Sequence, residues 1–194
     1  MGYFLIFENM LPSVLAVRDK CLIEGGQIIP YEASLYIFGY SGEYKDAEQD
    51  SMDMEQGSSR EAVVALLEEK NMITNCAELM TIHLRTVKDY KNEFKSVVTL
   101  TVLRDEELYG VCTFFNCKLT PGSSLNTSPS CEPTHWKQTI FPLKEKTVMR
   151  KHDTFEVEVH ARPQVANHRA LDITIRVRGA AFPNEIVEEF KMSQ

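Results

Sequence analysis

From Ala77 onward, the chain is a succession of short runs in which apolar and polar residues alternate, and turn residues separate the runs. The runs read ELMTIHLRTV, FKSVVTLTVL, ELYGVCTFFNCKL, HWKQTIFPL, TFEVEVHARP and ALDITIRVRG. The first run predicts two faces, with Leu79, Thr81, His83 and Arg85 on one and Met80, Ile82 and Leu84 on the other. Short strands at close intervals are typical of an antiparallel barrel or sandwich. We therefore predict a mainly β fold.

One helix is predicted ahead of these strands. Apolar residues recur at helical spacing over residues 10–22, which indicates an amphipathic helix. Asn9 is the expected N-cap, and Pro12 suits the first turn, where a missing N–H costs little. Gly25-Gly26 is expected to end the element.

The segment between the helix and the β runs changes character twice. Residues 27–40, QIIPYEASLYIFGY, read as a strand in which Pro30 marks a bend or an edge. Residues 41–60 are acidic and poor in large apolar residues, which predicts a loop or a mobile arm. Residues 61–72, EAVVALLEEKNM, contain good helix formers and predict a short helix.

Composition narrows the classes of partner. The chain has 194 residues, a net charge of -7 and 43% hydrophobic residues, which suits a globular protein with a sizeable core. The acidic balance argues against nucleic acid, because phosphate binding needs an excess of Lys and Arg. It favours cationic partners through electrostatic steering, although plain solubility explains the same charge.

Several other classes lack their signals. The sequence has no GxGxxG strand–loop–helix, P-loop, GxSxG or HExxH motif, and its five cysteines fit no zinc spacing. The run YFLIF is too short to span a membrane and lacks the features of a signal peptide. We expect free thiols, no metal, no membrane and an intracellular location, in the cytoplasm, the nucleus or both.

Two local features could carry chemistry. Glu8 directly follows five apolar residues. It is either a helix-capping or dipole residue or a partly buried carboxylate that awaits a cation. His135 precedes Trp136, the one tryptophan of the chain. This pair is either the packed entry of a strand or part of a site.

The residues around both features resemble a known family. MGYFLIFENMLPSVLAVRDKCL and NTSPSCEPTHWKQTIFPL are similar to the double-Glu hairpin segment and the Thr-His-Trp loop of class I protein arginine methyltransferases. YKD at 44–46 and NHRALDITIRV at 167–177 also fit that family's barrel. The similarity runs through nearly the whole chain and is weakest over residues 47–75.

This resemblance implies roles for four residues. Glu8 matches the second glutamate that clamps the substrate guanidinium, and His135 matches the loop histidine that approaches the same site. Both are candidate catalytic residues. Met10 matches a methionine that lines the substrate-arginine pocket, and Trp136 is a second candidate substrate-binding residue. In the family, a Rossmann-like domain binds S-adenosylmethionine, the methyl donor.

The resemblance also implies a domain organisation. Residues 1–29 correspond to the end of the S-adenosylmethionine-binding domain, and residues 30–194 correspond to the β-barrel substrate-binding domain, with an arm inserted at about 41–75. Because the cofactor domain is absent from the sequence, we expect a fragment that begins at an internal Met, binds no cofactor alone and is inactive alone. A non-catalytic barrel module for partner binding or oligomerisation is the alternative, and an unrelated jelly-roll ligand-binding protein is a third.

Expected partners follow from the same source. The implied substrates are arginine-containing proteins, such as Arg/Gly-rich segments and histone tails. Family members form a ring-shaped dimer through an aromatic-rich arm, but residues 47–60 contain no Trp, Tyr or Phe. Because aromatic residues anchor such interfaces, this composition counts against a family-type homodimer.

Overall fold

A computed structural model describes residues 2–45 and 60–193 of the chain. It contains one α-helix and eleven strands in this part. The helix is α1 (Leu11–Cys21), and the strands are β1 (Glu32–Tyr40), β2 (Arg60–Glu61), β3 (Val63–Ala65), β4 (Ala77–His83), β5 (Phe94–Thr101), β6 (Glu106–Thr120), β7 (Ser123–Asn126), β8 (Gln138–Met149), β9 (Thr154–Pro163), β10 (Leu171–Gly179) and β11 (Ile186–Met192). The predicted mainly β fold is confirmed.

The strands form two sheets with an apolar core between them. One sheet has the order β3-β8-β6-β1-β4, with β7 paired to β6, and the other has the order β2-β11-β10-β9-β5. The pairs are antiparallel except β2 with β11. The alternation in β9 and β10 places every second residue in the core, as a half-exposed sheet requires.

The chain joins the two sheets at both edges. At one edge, β2 lies in the second sheet and β3 in the first, and the Ala62 N–H between them donates to Lys191 O at 2.8 Å. Arg60 of β2 donates to Pro142 O of β8, in the other sheet, at 2.8 Å. At the other edge, Thr74 pairs with Val102 beyond the end of β5. These links give the sandwich its barrel-like closure.

The predicted helix over residues 61–72 is wrong. Val63–Ala65 pair with β8, and the helical part of this segment is a single 3-10 turn at Glu69–Asn71. Ala65 and Leu67 lie in a second apolar cluster on the outer face of the first sheet. Strand pairing and burial outweigh the weak helix propensity of a short segment. The rest of the predicted arm, residues 46–59, lies outside the described residues.

The face prediction for the first β run is also partly wrong. The pairing of β1 with β4 shifts between Leu35 and Tyr36, which lie opposite Met80 and Glu78. Leu79 is therefore the extra residue of a β-bulge, and it turns into the core with 6% exposure. A bulge reverses the alternation on one side of it, so Leu79 does not share the solvent face of His83.

Helix α1 follows the prediction in part. Pro12 lies in its first turn, but the residue before the helix is Met10, and no side chain caps it within the described residues. Asn9 has φ 54° and is not the N-cap. The helix ends at Cys21, ahead of Gly25 and Gly26. It buries Leu11, Leu15 and Arg18 against the barrel and leaves Met10, Val14 and Val17 exposed.

Two further expectations concern thiols and membranes. The five cysteines are free; Cys112 and Cys117 are buried, whereas the other three are exposed. Across residues 2–45 and 60–193, no helix combines the length and apolar character needed to cross a membrane.

Candidate functional site

A tight turn at residues 2–9 carries the predicted carboxylate. Phe4, Leu5, Ile6 and Phe7 are buried in the main core, where the Phe4 ring contacts those of β5 and β8 at 6.0 and 5.6 Å between centroids. The apolar run YFLIF therefore inserts between the sheets, which is why the charged residue after it comes to the surface.

The backbone of this turn is unusual. Phe4, Leu5, Glu8 and Asn9 have φ values of 52°, 61°, 70° and 54°, a region that costs non-glycine residues free energy. Gly2 lies so close that an added Cβ would be 2.5 Å from Phe7 O and 3.3 Å from Glu8 Cγ. Such a conformation persists only where surrounding contacts enforce it.

Asn92 supplies one of these contacts. Its amide donates to Ile6 O at 3.0 Å, and the side chain is only 5% exposed. Tyr90 donates to Asn92 Oδ1 at 3.0 Å, and burial raises the pKa of the Tyr90 hydroxyl. The sequence offers no signal for this role, because Asn92 lies in a polar stretch between predicted strands.

Glu8 contacts the loop between β9 and β10. Its N–H donates to Arg169 O at 3.0 Å, and Arg169 Nη2 donates to Glu8 Oε1 at 3.0 Å. The two side chains are 34% and 55% exposed. Glu8 does not cap α1, which begins three residues later. The arrangement is that of a carboxylate at the surface with a guanidinium beside it.

The His-Trp pair lies in a turn just before β8. Lys137 N–H donates to Thr134 O at 3.2 Å, which closes the turn. Trp136 is half-buried, packs on the main core and meets Phe115 edge-on at 6.1 Å. His135 is exposed and meets Trp136 edge-on at 5.7 Å. Trp136 therefore fits the packing interpretation, whereas His135 stands at the rim.

Tyr3 connects the two features. Its ring stacks on His135 with centroids 6.1 Å apart and an interplanar angle of 29°. Its carbonyl accepts a hydrogen bond from the Phe7 N–H at 3.2 Å, within the same turn as Glu8. Glu8 and His135, distant in sequence, thus lie on segments that are in contact. Sequence reasoning missed Tyr3 because it reads as one more apolar residue of YFLIF.

Met10 and two buried polar atoms lie next in sequence to the residues of these two segments. Met10 directly follows the turn and is 48% exposed. Asn9 Oδ1 and Thr134 Oγ1, each next to a predicted catalytic residue, are buried and have no hydrogen-bond partner among the described residues. The roles of Glu8, Met10, His135 and Trp136 stay predictions.

The described residues contain no cluster of metal ligands. In this part of the chain no group of three or more His, Cys, Asp or Glu residues is placed to hold a metal. The resemblance places the S-adenosylmethionine site in a Rossmann-like domain, and the sequence contains no Gly-rich strand–loop–helix motif. What the Glu8 turn offers is a carboxylate suited to a guanidinium.

The two-sheet barrel, with the Glu8 turn and the His135 loop in contact, can be compared with known families of domains. The family model for the arginine methyltransferase oligomerization subdomain matches residues 33–180. The chain belongs to this family, and the predicted resemblance to the C-terminal barrel part of protein arginine methyltransferases is confirmed.

Individual relatives agree with this assignment. The chain is 33% identical to protein arginine N-methyltransferase 1 of Saccharomyces cerevisiae in a 190-residue alignment that covers 90% of this chain and 55% of the relative. It is 31% identical to protein arginine N-methyltransferase 1 of Chlamydomonas reinhardtii in a 188-residue alignment that covers 90% of this chain and 54% of the relative. The chain spans about half the length of the curated relatives it matches.

Solved structures support the same fold. The Trypanosoma brucei PRMT1 enzyme–prozyme heterotetrameric complex with AdoHcy matches with a TM-score of 0.85 and 27% identity, covering 100% of this chain and 66% of that one. Arabidopsis thaliana protein arginine methyltransferase 10, in an open conformation, has a TM-score of 0.84 at 16% identity, covering 100% and 68% of the two chains, and shows the fold alone.

Proposed function

We propose that this chain is the C-terminal, substrate-binding part of a protein arginine N-methyltransferase. The complete enzyme transfers a methyl group from S-adenosylmethionine to a guanidinium nitrogen of arginine in proteins. The observation that carries the proposal is the contact of Tyr3 with His135, which unites the Glu8 turn with the His135 loop. Residues 1–29 would complete the cofactor domain, and residues 30–194 would form the barrel.

The chemistry of arginine fits these side chains. A guanidinium stays protonated at neutral pH and is a poor nucleophile. Carboxylates match its planar fork and bind it through charge-assisted hydrogen bonds. Glu8 would provide one such carboxylate, and the cofactor-binding half would provide the other. Together they would orient the reacting nitrogen toward the methyl donor, and such orientation lowers the barrier to the reaction.

The remaining site residues would support this clamp. His135 would organise the site or accept a proton through a relay. Met10, half-exposed beside the Glu8 turn, would line the pocket of the substrate arginine. Trp136 would shape the pocket by fixing the His135 turn on the core. The net charge of -7 favours cationic substrates such as Arg/Gly-rich segments and histone tails.

Helix α1 supports the view that the chain functions together with a cofactor-binding domain. Val14 and Val17 form an apolar stripe on this helix and are 41% and 60% exposed. A contiguous apolar surface of this kind marks an interaction site, and we assign it to the cofactor-binding domain. The 194-residue chain by itself is then expected neither to bind S-adenosylmethionine nor to methylate peptides. We also place the protein inside the cell, since its five cysteines are free.

A fusion protein tests the proposal. The chain is joined behind the cofactor-binding half of the yeast relative, and methylation of an Arg/Gly-rich peptide is followed by mass spectrometry. We expect activity that Glu8→Gln lowers by about 10- to 150-fold, the equivalent of one charged hydrogen bond. Glu132→Gln is the matched control, because Glu132 is an exposed carboxylate beside the His135 turn. Equal activity of the Glu8→Gln fusion and the unmodified fusion would refute the role of Glu8.

A non-catalytic oligomerisation module is the second candidate. It is favoured by the matched family model, which describes an oligomerization subdomain. Sedimentation of the 194-residue chain, alone and with the cofactor-binding half, separates the two candidates. Stable oligomers together with an inactive fusion would favour the module, whereas an active fusion favours the enzyme.

A further inference from the structure

We propose that Arg169 is a positioning residue for Glu8, so that the loop between β9 and β10 sets the geometry of the arginine clamp. The inference rests on the proposed function, because it assigns Arg169 a task only if Glu8 binds a substrate guanidinium. Arg169 itself is not assigned any contact with substrate.

Arg169 reaches Glu8 through both its backbone and its side chain. The Glu8 N–H donates to Arg169 O at 3.0 Å, and Arg169 Nη2 donates to Glu8 Oε1 at 3.0 Å. The first bond orients the peptide of Glu8, and the second orients its carboxylate. Two contacts from one residue restrict both the backbone and the side-chain torsions of Glu8.

The loop that carries Arg169 is itself well ordered by hydrogen bonds. Arg169 N–H donates to Asn167 Oδ1 at 3.1 Å, Ala170 N–H donates to Asn167 O at 2.9 Å, and Gln164 N–H donates to Ala170 O at 3.0 Å. Ala170 is 1% exposed. The loop thus holds Arg169 in a fixed position on the barrel, and the two hydrogen bonds of Arg169 fix the Glu8 turn relative to that loop.

Magnitudes separate a positioning role from a stabilising one. Exposed ion pairs contribute little to folding, and Glu8 and Arg169 are 34% and 55% exposed. In contrast, a displacement of about 1 Å in a reacting group can lower a rate about 100-fold. The same contact is therefore minor for the stability of the fold and important for the geometry of the clamp.

Arg169 by itself does not saturate the Glu8 carboxylate. A carboxylate offers about four acceptor positions on its two oxygens, and Arg169 contacts Oε1 with one nitrogen. The positioning role requires that a substrate guanidinium bind the same carboxylate from another direction. Arg169 then resembles the outer partners that orient ligand groups in many sites.

The test is a double-mutant cycle in the fusion enzyme described above. We expect Arg169→Ala to lower kcat and kcat/KM together by about 10- to 100-fold. Arg169→Lys should restore part of this loss, because lysine supplies a cation with N–H donors but no planar fork. In the Glu8→Gln background, Arg169→Ala should change the rate by less than about twofold, since its effect passes through Glu8. Arg162→Ala is the matched control, because Arg162 lies in the adjoining strand β9, faces Asp172 and is 61% exposed.

Each result decides the question. Unchanged activity of Arg169→Ala in an active, Glu8-dependent fusion overturns the inference and leaves the proposed function intact. A rise in kcat/KM would mean that Arg169 competes with substrate, and full additivity with Glu8→Gln would mean an independent role; either overturns it. The thermal midpoint of Arg169→Ala in the 194-residue chain should stay within about 4 °C, and a larger drop assigns a structural role instead. An inactive unmodified fusion contradicts the proposed function itself.

Discussion

Replacing Arg18 by methionine should weaken the attachment of α1 to the barrel and lower the free energy of unfolding. Arg18 is a charged residue on the buried face of the helix, with a side chain 6% exposed. Its Nη1 donates to Leu84 O at 2.5 Å and its Nη2 to Val87 O at 2.7 Å. Methionine keeps an unbranched apolar side chain but removes both of these donors. It also removes the Nε donor to Asp19 Oδ1 at 2.8 Å, whose loss costs little because the Asp19 side chain is 63% exposed.

The size of the effect follows from those two bonds. A hydrogen bond from a charged donor contributes about 1.5–3 kcal/mol, and an unpaired buried carbonyl costs about 1–3 kcal/mol. The loop around Leu84 and Val87 is partly open to water, which recovers part of the loss. We therefore expect the free energy of unfolding to fall by about 3 kcal/mol, a large share of the roughly 5–15 kcal/mol of an ordinary domain.

Urea unfolding of the 194-residue chain measures this difference. Arg104→Met is the matched control, because Arg104 also donates to two backbone carbonyls but is 43% exposed. We expect that control to cost less than about 1 kcal/mol, as is usual for surface substitutions. A loss below about 1 kcal/mol for Arg18→Met, or equal losses for both variants, would refute the reasoning about burial.

Three further predictions address packing, reactivity and assembly. Gly110→Ala should destabilise the fold by about 1–3 kcal/mol, because its Cβ would lie 2.3 Å from a backbone oxygen of β8; an unchanged urea midpoint would contradict this. Burial raises the pKa of Cys117 to about 12, so at pH 8 this thiol stays protonated and should resist iodoacetamide until the chain unfolds. Exposed Cys131 should be alkylated in the folded protein. Equal labelling rates of the two cysteines, measured by mass spectrometry, would contradict this prediction. Val17→Lys should change the free energy of unfolding by less than about 0.5 kcal/mol but weaken binding to the cofactor-binding half, measured by sedimentation. Ala16 is also exposed on α1 but lies off the stripe, so Ala16→Lys should change neither unfolding nor binding. Equal binding of both variants argues against α1 as the interface.

Local pattern in the sequence was sufficient for the class of fold. Alternation in β9 and β10 depends only on neighbouring residues, and a half-exposed strand must follow it. The exposed apolar stripe of α1 is likewise a property of helical spacing. Glu8 and His135 were found from their neighbours in the chain, because a charge after an apolar run and a His-Trp pair are visible without a structure.

Other features depended on contacts between residues that are distant in sequence. Residues 61–72 contain helix formers, yet β3 pairs with β8 because that pairing buries Ala65 in the second apolar cluster. The bulge that turns Leu79 inward depends on the register of β1. Neither is encoded within a single run, since register and burial are set by the partner strand.

The candidate site shows the same division. The sequence by itself determined that the chain is mainly β, and it predicted a carboxylate and a His-Trp pair as candidate site residues. Only the tertiary structure decided that Tyr3 joins their two segments and that Arg169 binds Glu8. The physical reason is that periodicity reports which side of a strand or helix is buried, whereas the partner of a polar group is chosen when distant segments pack together.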